Sequence, residues 1–179
     1  MKCDKVAACS EALFSGGFMS GCPNDREHCL ESSDNRSRVK CEEKGKKYIL
    51  ENTMKNQVLS YKMDGGIILE DSNVPVGINK CDHMLLVKTE KPTVILVELK
   101  GTDVKHVMKQ ISSTVDLFSS LWHKMDHVYG RIAAVSAVPK IHADPDYTKL
   151  TGKLLKLGGN LKVEGRIFEE SDTYLGKKH

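Results

Sequence analysis

Three residues raise the question of chemistry: Asp82, Glu98 and Lys100. Asp82 lies at the head of an apolar run, Lys80-Cys81-Asp82-His83-Met84-Leu85-Leu86-Val87. Glu98 and Lys100 lie at the tail of a second, Thr93-Val94-Ile95-Leu96-Val97-Glu98-Leu99-Lys100-Gly101. Two such runs separated by a short polar segment read as a β-hairpin. A hairpin centred on Glu90 sets Asp82 opposite Glu98, and facing residues of an antiparallel pair are about 4.5–5.5 Å apart. Lys100 is two residues beyond Glu98, so it projects from the same face. Two carboxylates and an ammonium at one sheet end suit a hard divalent cation and a water molecule beside it.

Both faces of this hairpin are apolar. Met84, Leu86, Val94 and Leu96 share one face, and Leu85, Val87, Ile95 and Val97 share the other. A strand apolar on both sides is a central strand, here expected to be covered by helices. That context separates Glu98-Leu99-Lys100 from Glu42-Glu43-Lys44 and Asp103-Val104-Lys105, which repeat the acid-x-Lys pattern on or before expected helices.

The elements that must position these residues follow from periodicity. Residues 1–44 show little periodicity and read as an N-terminal, cysteine-containing segment, with the main domain at 45–179. From Glu42 to Lys62 the spacing of Leu50, Met54, Val58 and Tyr61 predicts a helix, with Glu51 beside its apolar stripe. Asp64-Gly65-Gly66 ends that helix, and Gly66–Glu70 is a short strand. Thr102-Asp103 caps a long amphipathic helix whose buried stripe runs from Val104 through Ile111 and Phe118 to Trp122, with Gln110 off the stripe. Tyr129–Val138 is a buried strand, and strand–helix–strand order predicts that it lies parallel to the one ending at Lys100. A basic helix over Asp146–Leu157 and a strand over Leu161–Phe168 complete the chain.

A chain of 179 residues with a net charge of +3 suits a soluble domain and permits a polyanionic partner without requiring one. No run is long and apolar enough to cross a membrane, and Asp4, Lys5 and Glu11 interrupt any signal-peptide core, so a cytoplasmic protein is expected. None of the six cysteines forms a Cys-x-x-Cys pair. Cys22, His28, Cys29 and Cys41 have zinc-ligand types without zinc-knuckle rhythm, so free thiols are expected over a structural zinc. The histidines show no ligand spacing. Lys149, Lys153 and Lys156 on the last helix could form a basic face that tracks a phosphate backbone.

With Asp82 and Glu98-Leu99-Lys100 in this order of elements, the chain resembles the PD-(D/E)xK nuclease superfamily, the restriction-endonuclease-like fold. The resemblance covers roughly residues 46–138, and Cys81 stands where the motif has its proline. Lys-Cys-Asp-His-Met-Leu-Leu with Val-Glu-Leu-Lys-Gly is also similar to a group of bacterial proteins of this type. The resemblance implies an α/β fold with a mixed central β-sheet flanked by helices, in the order α-β-β-β-α-β. It implies a DNA endonuclease-like phosphodiesterase, with Asp82 and Glu98 binding Mg²⁺ or Mn²⁺ and the Leu99 carbonyl as a third ligand. Lys100 assists the attacking water. Glu51 is the first choice for a further metal-shell acid, with Asp64 its rival, and Gln110 is placed near the site. A homodimer acting on DNA follows from the same resemblance. The alternative is a catalytically inactive module of the same fold, an immunity or partner protein.

Overall fold

The computed structural model describes residues 30–64, 77–90, 92–100, 104–134 and 141–175, with Glu11 and Ser15. Its centre is the expected hairpin. Strands β5 (His83–Val87) and β6 (Thr93–Lys100) pair antiparallel with His83 opposite Val97 and Met84 opposite Leu96, the register centred on Glu90. Around them a six-stranded mixed sheet is completed by β1 (Leu30–Asp34), β4 (Val58–Lys62), β7 (His127–Ala134) and β8 (Leu161–Glu164), in the order β1-β4-β5-β6-β7-β8. β7 runs parallel to β6, with Lys100 beside Ala134, as the crossover order predicts.

The two apolar faces of the hairpin enter two different cores. Met84, Leu86, Val94 and Leu96 pack with Val107, Met108 and Ile111 of helix α1 (Val104–Leu117) and with Leu150 and Leu154 of α3 (Pro145–Lys156). Between these helices the chain breaks at Phe118 and forms a short turn of helix, α2 (Ser119–Trp122). Leu85, Val87, Ile95, Val97 and Leu99 face Val39, Cys41, Tyr48, Leu50 and Phe168. Those residues belong to a second, three-stranded sheet: β2 (Arg38–Glu43), β3 (Lys46–Glu51) and β9 (Ile167–Ser171), in the order β2-β3-β9. The architecture is mixed α/β, with helices on one face of the central sheet and a small sheet, rather than more helices, on the other.

Three expectations change here. The helix expected over Glu42–Lys62 is instead the end of β2, the hairpin to β3, a loop and β4. Lys44 and Gly45 both take positive φ, 47° and 75°, the left-handed pair that closes a two-residue hairpin. Met54, a member of the supposed stripe, is 67% exposed in the β3–β4 loop. That loop is held by Asp172, whose carboxylate accepts from Thr53 N (3.0 Å), Thr53 Oγ1 (2.6 Å) and Met54 N (3.1 Å). Second, the boundary drawn at 44/45 falls inside the β2–β3 turn. Residues 30–43 are integral, since β1 pairs with β4 and β2 pairs with β3. Third, the single strand expected over 161–168 is two strands in different sheets, split at Gly165-Arg166. The strand expected at Gly66–Glu70 and the Thr102-Asp103 cap lie outside the described residues.

One buried ion pair ties the two sheets together. The Nε of Arg131, on β7, donates to Glu170 Oε1 on β9. Tyr48 of β3 donates to the same oxygen at 2.9 Å, and Lys162 reaches Glu170 Oε2 at 3.2 Å. Arg131 also stacks over Tyr129, 4.8 Å from the ring centre.

Candidate functional site

At the open end of β5 and β6 the strands stop pairing by backbone alone, and their acids take over the ladder. Asp82 N donates to Val97 O and to Glu98 Oε2, both at 3.1 Å. Leu99 N returns a bond to Asp82 Oδ2 at 2.7 Å. Each carboxylate therefore bonds the backbone of the neighbouring strand, which fixes both acids relative to one another. In an extended strand the N–H and C=O of one residue point to the same side. The Leu99 carbonyl is accordingly directed with its N–H toward the Asp82 side of β6.

Asp82 is also held from β4 and from the helix layer. Met63 N donates to Asp82 O at 2.9 Å, closing the sheet on the other flank. Gln110 and Thr114 of α1 reach down to the segment before β5. Gln110 Nε2 donates to Lys80 O at 2.9 Å, and Cys81 N donates to Thr114 Oγ1 at 2.9 Å. Gln110 is buried, and its Oε1 finds no hydrogen-bond partner among the described residues.

These groups line or floor a cleft of about 560 Å³. Asp82 and Gln110 form its helix-side wall, and Glu31 and His83 form the opposite wall, with Leu99 on the side of the second sheet. The tip of the β2–β3 hairpin overhangs it through Glu42, Glu43, Lys44 and Lys46, with Lys62 and Asp64 at the remaining edge. Five acids face three lysines, so the lining is net acidic. Glu98 is not part of the lining: it is 0% exposed.

Two walls, two chemistries. On the far wall His83 Nδ1 lies 3.0 Å from Glu31 Oε2, and Ser60 Oγ donates to the same oxygen at 3.1 Å. The His83 hydrogen bond, against the opposing effect of burial, holds the Glu31 carboxyl below its ordinary value. Beneath the cleft, burial and the charge of Glu98 push the Cys81 thiol well up. Burial and the charge of Glu31 do the same to Cys41. Both cysteines are therefore protonated, inert core residues, which matches their place in the two hydrophobic clusters. Cys22, His28 and Cys29, the rest of the zinc-type set, lie outside the described residues.

Compared with family models, curated proteins and solved structures, the chain matches none. Geometry alone must carry the functional reading.

The structure brings together Asp82, Glu98, Leu99 and Gln110, with Asp64 at the same cleft, and it places Glu51 and the helix lysines elsewhere. Lys100 closes β6 two residues beyond Glu98, and its side chain lies outside the described residues. Glu51 is at the far end of β3 from Lys46, roughly 16 Å along an extended strand, and does not line the cleft. It shares a hydrogen bond with Glu169, and that like-charged partner raises its pKa. Asp64 does line the cleft and pairs with Lys80 at 3.1 Å. None of the three helix lysines lines it. Lys153 is bound to Asp116 at 2.6 Å and to Ser112 at 2.9 Å. Lys149 and Lys156 are exposed on α3 and line other grooves.

The residues sequence reasoning missed are Glu31, His83 and the hairpin tip. Glu31 sat in a segment read as an appendage, and its partner is 52 positions away. The Lys44-Gly45 pair was the available signal for the tip, since a glycine after a flexible polar residue between alternating runs is hairpin chemistry.

No cluster of three or more His, Cys, Asp or Glu side chains is placed to hold a metal ion together among the described residues. What the cleft offers here is a small oxygen set, the Asp82 carboxylate, the Gln110 amide oxygen and the Leu99 carbonyl, with the Glu98 carboxylate buried behind it and bonded to Asp82 N. Such donors suit Mg²⁺ or Mn²⁺, which bind through one or two carboxylates and keep several waters. They are a poor match for zinc, which favours nitrogen and sulfur.

Proposed function

We propose that this protein is a divalent-cation-dependent phosphodiesterase that hydrolyses nucleic acid, with DNA as its substrate. The observation that carries the reading is the reciprocal lock between the buried Glu98 and Asp82, which lines the cleft with Leu99 and Gln110. The order of β4, β5 and β6 antiparallel, then a crossover helix and parallel β7, supports a restriction-endonuclease-like core in the central sheet.

In this reading Asp82, Glu98 and the Leu99 carbonyl hold Mg²⁺ or Mn²⁺. When bound, the cation supplies a lowered pKa for a coordinated water and a counter-charge for the phosphoryl oxygens. The lock between the strands keeps the two carboxylates in place before substrate arrives, so little reorganisation is needed. Lys100, two residues beyond Glu98 on β6, would orient the attacking water and offset negative charge in the transition state. The acidic lining repels a phosphodiester on its own. Substrate binding, as well as hydrolysis, therefore depends on the cation. Lys44, Lys46 and Lys62, which line the cleft, are further contacts to flanking phosphates in this reading.

One observation favours the second reading, a binding module without catalysis: Glu98 is fully buried and does not reach the cleft surface. Plasmid and oligonucleotide cleavage with Mg²⁺, Mn²⁺ or EDTA separates the two. Metal-dependent cleavage that is lost in Asp82→Asn and in Lys100→Met supports the enzyme. Cleavage that survives both substitutions contradicts it. A homodimer, with one site on each strand, is tested by sedimentation of the protein on duplex DNA.

A further inference from the structure

Asp82 is held by its neighbours in the sheet, through Met63 just past β4 and Val97 and Leu99 on β6. Helix α1 adds a hold on the chain just before it. Thr114 is fully buried, and its hydroxyl does two things at once: it accepts from Cys81 N at 2.9 Å and donates to Gln110 O, one turn back, at 2.9 Å. Gln110, on that same turn, donates to Lys80 O at 2.9 Å. Both polar ends of one peptide group, the Lys80–Cys81 amide that precedes Asp82, are thus clamped to two residues four apart on one helix face.

We infer that Thr114 is a positioning residue for the cleft: through Cys81 it sets where Asp82 presents its carboxylate. The clamp is described independently of any activity, while its consequence for hydrolysis rests on the phosphodiesterase reading. A side chain that orients a cation ligand through one intervening group typically alters cation affinity or activity 10–100-fold when removed. Valine is the right probe because it keeps the shape of threonine and removes the hydroxyl.

The test compares wild type, Thr114→Val and Thr114→Ser, after circular dichroism and thermal melting show each to be folded. The first readout is amide hydrogen exchange at Leu99, whose N–H is bonded to the Asp82 carboxylate. It needs no metal and no activity. Thr114→Val is expected to speed Leu99 exchange at least tenfold relative to the neighbouring Val97, and Thr114→Ser to restore it. The second readout is Mn²⁺ titration followed by electron paramagnetic resonance, with an expected 10–100-fold loss of affinity in Thr114→Val and recovery in Thr114→Ser. Unchanged Leu99 protection in folded Thr114→Val overturns the clamp. Loss of Leu99 protection in a protein whose wild type binds no Mn²⁺ upholds the clamp and overturns the cation reading instead.

Discussion

Asp82 does two jobs in this structure, and substitution can separate them. Its carboxylate closes the open end of the β5–β6 pair by accepting from Leu99 N at 2.7 Å, and it lines the cleft. A hydrogen bond to an ionised group contributes about 1.5–3 kcal/mol, and a buried donor left without an acceptor costs a similar amount. Leu99 is buried, so Asp82→Ala strands its N–H. Asp82→Asn keeps an acceptor in place, and removing one charge beside Glu98 relieves repulsion, so its stability stays within about 1 kcal/mol of wild type. For a chain of this size about 2–4 °C of melting temperature corresponds to each kcal/mol. Asp82→Ala is therefore expected to melt about 3–12 °C lower, and Asp82→Asn within about 4 °C. Melting is followed by circular dichroism in EDTA, so that cation binding does not contribute. Cleavage should fall at least about 100-fold in both, equivalent to ~2.7 kcal/mol of transition-state stabilisation. An alanine variant as stable as wild type refutes the structural half. An asparagine variant that cleaves normally refutes the functional half.

Arg131→Met leaves Glu170 buried with only Tyr48 and Lys162 beside it, and should cost about 3–5 kcal/mol in urea denaturation. Adding Glu170→Leu to that variant should recover most of the loss, because it removes the stranded charge. Glu31 titrates below its ordinary value because of His83, so the stability it contributes is complete above about pH 4.5 and fades as pH falls through its lowered value. The melting difference between wild type and Glu31→Gln should accordingly be level from pH 7 to 5 and shrink in more acidic buffer. Cys41 and Cys81, buried and held protonated, should resist iodoacetamide at pH 8 in the native protein and react on unfolding, as read by mass spectrometry.

The parts of the fold legible in the sequence were those whose pairing is local and whose pattern has one interpretation. Two apolar runs joined by a short polar loop admit only one hairpin, and its register fixes Asp82 opposite Glu98. The crossover helix and β7 followed from length and order. Residues 42–62 were misread because a spacing of four suits both geometries. Leu50, Met54 and Val58 fall on one helix face, but an even spacing also puts them on one face of a strand. The Lys44-Gly45 turn and the alternation of Val39 with Cys41 and of Tyr48 with Leu50 were the signals that favoured strands. The second sheet was out of reach for another reason. β3 pairs with β9, with Tyr48 beside Phe168, and no local pattern announces a contact spanning most of the chain. The far wall of the cleft depends on the same kind of distant contact, Glu31 with His83.

The most direct test of the central claim is Mn²⁺ binding to the wild-type protein, Asp82→Asn and Glu51→Gln, followed by electron paramagnetic resonance. The account predicts saturable binding to wild type, a loss of at least tenfold in affinity for Asp82→Asn, and no change for Glu51→Gln at the far end of β3. Absence of binding to wild type, or binding untouched by Asp82→Asn, contradicts it.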